Sequence, residues 1–118
     1  MIEETKYRVA LLEERKDMAI VTLKKQVLGG NDALEFTDVL QQTRELGLKV
    51  VVADLSNVDL INSSGLGMLV SGMSNLRKFG THFALISVPP KVMQLLDVTH
   101  LNKVFKIFDS LESVLAEY

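Results

Sequence analysis

A chain of 118 residues fits one domain, because domains commonly run to about 100–200 residues. Its 47% apolar and 24% charged residues are ordinary for a soluble globular protein and enough to build a core of useful size. A net charge of −2 with dispersed Lys and Arg gives no basic footprint for nucleic acid, and the absence of cysteine excludes disulfides and thiolate metal sites.

In chain order, Met1-Ile2-Glu3-Glu4-Thr5-Lys6 lacks the basic start and apolar run of a signal peptide. No apolar stretch is long enough to span a bilayer, so a cytoplasmic protein with no membrane partner is expected. Tyr7, Val9 and Leu11 alternate with more polar neighbours, which predicts a half-buried strand. After the charged turn Glu13–Asp17, Met18–Leu23 predicts a second strand, antiparallel to the first. Gly29-Gly30-Asn31 breaks the chain, and Asp32 with Glu35 has capping-box spacing for a helix. That helix turns Phe36, Val39, Leu40, Thr43 and Leu46 to one side and stops at Gly47.

Val50-Val51-Val52-Ala53 reads as a strand buried on both faces, the habit of a parallel sheet between helices. Asp54 ends it, and a loop over Ser56–Ile61 follows. A helix is predicted from Ser64 to Phe79, then a strand at Phe83–Ile86. Pro90 suits the first turn of a short helix over Lys91–Asp97. Val104–Phe108 reads as the last strand, and Asp109 with Glu112 as the cap of a final helix ending near Glu117. The alternation predicts a single α/β domain over residues 1–118, with a mixed, mostly parallel sheet of about five strands and about four helices.

Ser63, in Asn62-Ser63-Ser64-Gly65-Leu66-Gly67, draws the functional reading. It stands where a helix begins, and the free N–H groups and positive dipole end there stabilise a phosphate. A phosphoryl group adds about −1.5 to −2 charges at neutral pH. The helix itself has a stripe of Leu66, Leu69, Val70, Met73 and Leu76 for the core. Its other side is small: Ser64, Gly67, Ser71, Ser74 and Asn75, with Lys78 beyond and Met68, Gly72 and Phe79 at the margin. Small residues let a partner approach closely, and a dianion at the end of that surface would oppose docking. By position alone, however, a serine before a helix is an N-cap worth about 1 kcal/mol.

The run Asp54-Leu55-Ser56 to Asn62-Ser63-Ser64-Gly65-Leu66-Gly67 resembles the signature of the STAS domain, and specifically of the stand-alone bacterial anti-sigma factor antagonists. The element order over nearly the whole chain agrees with a STAS-type fold. The resemblance implies a partner switch regulating transcription. In it, Ser63 is phosphorylated by a serine kinase that is also an anti-sigma factor, the unphosphorylated form binds that kinase, and a phosphatase resets phospho-Ser63. The partner-binding residues expected are Asn62, Ser64, Gly65, Gly67, Met68, Ser71, Gly72 and Asn75, with Asp32 from the preceding helix entry. The antagonist itself is expected to need no cofactor. The chain departs from the signature at Asn62, where the family usually has Asp, so a negative charge beside Ser63 is missing.

Other residues have plainer readings beside functional ones. Asp54 and Asp59 flank the loop, either to orient a kinase or to end a strand and meet solvent. His82 and His100 lie on separate elements with no third ligand, which argues against a metal. A hydrolase elbow would need Gly where Ile61 stands, so Ser63 is not expected to be a nucleophile and the chain is not expected to be an enzyme. The competing reading keeps the fold and drops the switch: a constitutive interaction module within a larger regulatory or transport assembly.

Overall fold

The computed structural model describes residues 7–118, apart from the side chains of Arg8 and Asp32, so the signal-peptide reading of residues 1–6 falls outside it. Strands β1 (Arg8–Leu11) and β2 (Met18–Thr22) form the antiparallel hairpin that the sequence predicts, with Val9 opposite Val21. Strands β4 (Val50–Asp54), β6 (His82–Ile86) and β7 (Lys106–Phe108) continue from β2 in parallel. The five-stranded order is β1-β2-β4-β6-β7. A second element escapes the sequence reading: β3 (Gln26–Val27) and β5 (Leu60–Ile61) make a two-stranded parallel ribbon. It arises because β2 and β4 are parallel neighbours, so the segments leaving them run side by side.

Four helices follow as predicted: α1 (Asn31–Glu45), α2 (Ser63–Lys78), α3 (Pro90–Val98) and α4 (Leu111–Glu117). The caps differ. Helix α1 begins after Gly30 with no side-chain cap, so Asp32 is its second residue rather than its cap. Helix α4 is capped by Ser110, which accepts from the Ser113 N–H, one residue later than Asp109. The last strand is also shorter than Val104–Phe108, because Leu101–Lys103 forms a 3-10 turn first.

Two cores lie on the two faces of the sheet. Val51, Ala53, Phe83 and Leu85 pack under α1, α2 and α3 through Phe36, Leu40, Leu69, Leu76 and Leu96. Val50, Val52, Ala84 and Ile86 pack under α4 through Val114. β4 is thus buried on both sides, which is why its sequence shows no alternation. Leu46, expected on the inner face of α1, is instead 62% exposed, because it is the C-cap and has left the helical stripe.

Candidate functional site

The start of α2 lies at the carboxyl edge of the sheet, where open α/β folds place their ligands. Three bonds anchor it through Asn62. The Asn62 N–H donates to the Val27 carbonyl at 3.4 Å, its carbonyl accepts from the Leu66 N–H at 2.9 Å, and its side-chain Oδ1 accepts from the Gly65 N–H at 2.8 Å. Asn62 is therefore the N-cap, in extended conformation, and Ser63 is the first helical residue. The capping role that position suggested for Ser63 belongs to its neighbour.

This frees Ser63. Its side chain is exposed, and its hydroxyl makes no hydrogen bond among the described residues. The N–H groups of Ser63 and Ser64 are likewise unengaged there, as the first N–H groups of a helix are unless a group outside it accepts from them. No acidic residue stands in the first turn of α2. An exposed hydroxyl, unspent N–H groups and the positive end of a 16-residue helix thus coincide.

Two glycines let the β3 segment close on this helix start. A Cβ on Gly65 would collide with the Val27 carbonyl oxygen, so only glycine fits between β3 and the first turn. Gly29 has φ of +81°, and a Cβ there would lie 2.6 Å from the Ser64 Cβ. Ser64, though exposed, is thereby flanked by the β3–α1 loop at Gly29.

The expected partner-facing residues divide. Asn62, Ser64, Gly67, Ser71 and Asn75 are exposed along one side of α2. Gly65, Met68 and Gly72 are not on that surface. Gly65 is closed by Val27. Met68 is 5% exposed, and its sulfur accepts from the Tyr7 hydroxyl at 3.7 Å. Gly72 is the contact point of α1, since a Cβ there would meet Leu40 and Phe36 at 2.7 Å. The reason is common to the last two: α1 packs beside α2 and covers the margin that the helix wheel leaves open. The side chain of Asp32 lies outside the described residues. Phe79 is exposed at the far end of α2, beneath the Arg44 guanidinium at 4.3 Å.

One apolar side chain also reaches the surface beside Ser63. Leu60, in the ribbon strand before Ser63, is 50% exposed, an apolar side chain beside an otherwise polar site. Leu60 stands between Asp59 and the half-buried Ile61, and the sequence does not distinguish it from the loop's inward Val58. Asp54 takes the plainer of its two readings, for its carboxylate accepts from the Ser56 N–H at 2.9 Å and closes the turn after β4. No group of His, Asp or Glu among the described residues is arranged to hold a metal ion, and none of their helices is long and apolar enough to cross a membrane.

Comparison with known proteins agrees with this architecture. The chain matches the STAS domain family over residues 10–114. It is 28% identical over 102 residues to a Thermotoga neapolitana protein named as a candidate anti-sigma factor antagonist, covering 86% of this chain and 90% of that one. The crystal structure of a Thermotoga maritima protein of the same description superposes with a TM-score of 0.77 at 24% identity, covering 94% of this chain and 92% of the other. The Bacillus cell fate determinant SpoIIAA in its phosphorylated form shares the fold at a TM-score of 0.70 and 12% identity, covering 94% and 96%. The chain belongs to the STAS domain family, and three relatives it is similar to are named as anti-sigma factor antagonists, two of them as candidates.

Proposed function

We propose that this protein is an anti-sigma factor antagonist whose binding to a cognate anti-sigma serine kinase is switched off by phosphorylation of Ser63. The observation that carries the reading is the division of labour at the start of α2. Asn62 caps the helix, so among the described residues the exposed Ser63 hydroxyl has no structural task and two backbone N–H groups beside it are unspent. A phosphoryl group on Ser63 would be stabilised by those N–H groups and the helix dipole, so the modified form need not unfold. What changes is the surface. The exposed row Ser64, Gly67, Ser71 and Asn75 is neutral, and a partner seated on it would have to desolvate a dianion at one end. Losing about 1.4 kcal/mol is already tenfold in affinity. Asn62 serves this switch as well as Asp would, because it accepts the same Gly65 N–H without placing a carboxylate beside the phosphate. A phosphatase would return the protein to its binding form.

The test is reconstitution with the cognate kinase, ATP and magnesium. One phosphate per chain is expected on the wild type and none on Ser63→Ala, and Ser63→Asp should bind the kinase at least about tenfold more weakly. Labelling of Ser63→Ala to the same stoichiometry would sink the proposal. Unlabelled wild type with equal binding by Ser63→Asp would instead favour a non-switching interaction module.

A further inference from the structure

We propose that the cavity at the opposite end of α2 binds a small organic carboxylate with a compact apolar body. This site is independent of Ser63 and does not rest on the switch. The cavity has a volume of about 220 Å³ and lies between the C-terminal half of α2, the start of β6 and β7. Its floor is apolar and buried, made by Met73 and Phe83. One wall is aromatic: the His82 ring lies on Tyr118 with centroids 4.7 Å apart. Its rim carries Arg77 from the helix and Lys106 from the strand.

Among the described residues, neither Arg77 nor Lys106 is in an ion pair, and no Asp or Glu lines the cavity. The polar contact of the Arg77 guanidinium is the Met73 thioether at 3.7 Å, a weak acceptor that leaves its fork of donors in surplus. Compensation of the helix dipole explains Arg77 and Lys78 only in part. Phe79 and Gly80 N–H groups already satisfy the Leu76 and Arg77 carbonyls, each at 3.0 Å, and Lys106 comes from a different element. Two cations of separate origin, in no ion pair among the described residues, thus border one hollow with an apolar floor.

The shape selects the ligand. The volume falls below the ~300–1,000 Å³ of sites for drug-sized ligands, which suits a ligand smaller than a nucleotide. Inorganic phosphate would use the cations and waste the Phe83 and Tyr118 surfaces. A planar carboxylate suits the guanidinium fork, and a small ring or branched chain suits the floor.

Backbone-amide NMR titration of the 118-residue chain with benzoate tests this, beside benzyl alcohol and inorganic phosphate as comparison probes. Benzoate should give saturable shifts at Arg77, His82 and Lys106. Arg77→Gln and Lys106→Gln should each weaken it about threefold, as fits exposed charge pairs, and benzyl alcohol should bind more weakly by at least that factor. The proposal is overturned if the double variant binds benzoate as the wild type does, if benzyl alcohol matches benzoate, or if phosphate saturates the same residues as tightly.

Discussion

At its first turn α2 carries no acidic side chain, is capped by the neutral Asn62, and meets the β3 backbone so closely that only glycine fits at position 65. At its last turn the same helix carries Arg77 and Lys78, ends at an exposed Phe79 under Arg44, and borders an open cavity. The first end is a tight, uncharged platform; the second is loose and compensated by charge. A single added charge therefore alters the first end most, which suits it to a switch. The second end holds spare cations, which suits it to a small anion. This contrast also orders the effects of substitution, from the tight end to the loose one.

Gly65→Ala is the strongest way to break the platform. Its Cβ lands on the Val27 carbonyl oxygen, a backbone atom held in the β3–β5 ribbon, so relief requires moving the strand or the helix start. A loss of about 3 kcal/mol is expected, at the upper end of ordinary overpacking, read as a lower urea midpoint with unchanged slope. Wild-type stability for Gly65→Ala would mean that the platform is not tight. Gly72→Ala meets the ends of two side chains instead. Leu40 can yield, whereas Phe36 is held against Tyr7 and Phe83 at centroid distances of 5.5 and 6.5 Å. Better helix propensity returns about 1 kcal/mol, so a net loss near 1 kcal/mol is expected.

Asn62→Ala removes the acceptor of the Gly65 N–H and should cost about 1 kcal/mol in thermal or urea unfolding. Asn62→Asp, which restores the usual family residue, should keep the cap and add about 0.5 kcal/mol from the helix dipole. The sign with pH follows from the charge. The folded protein would hold that carboxyl below its unfolded value of about 3.9, so the gain is present above that pH and is lost as pH falls through the folded value. A variant no more stable than wild type at pH 7 would show that the first turn's positive end is already satisfied by other groups.

The contrast between the ends was only partly legible in the sequence. Periodicity marks the inner stripes of the helices and unbroken apolar runs mark the central strands, because a helix buries one face and a strand between two layers buries both, and the resemblance points to the family. The roles of Gly65, Met68 and Gly72 were hidden, because a helix wheel shows one helix and not the neighbour that α1 supplies. The exchange of roles between Asn62 and Ser63 turned on a single residue of helix start, where sequence boundaries are least sharp. The ribbon of β3 and β5 left no trace because two-residue strands are too short to show a period. The cavity was invisible because its cations, Arg77 and Lys106, are far apart in the chain and meet only through the order β6-β7.

Lys78→Ala gives the smallest effect and the finest measure of the loose end. Lys78 is exposed, stands in the last turn of α2 and makes no ion pair among the described residues, so its contribution is its attraction to the last carbonyls. That attraction is worth about 0.3 kcal/mol at low salt for a surface cation. It should fade as added salt brings the Debye length down toward about 3 Å at 1 M. Arg77 next to it, and the N–H groups of Phe79 and Gly80 that already occupy the Leu76 and Arg77 carbonyls, leave little for Lys78 alone to satisfy. Urea unfolding at two salt concentrations therefore separates the cases. A small loss that salt removes fits an end compensated several times over. A salt-insensitive loss near 1 kcal/mol would mean that Lys78 packs as well as charges, and that the two ends of α2 are less different than their sequences make them.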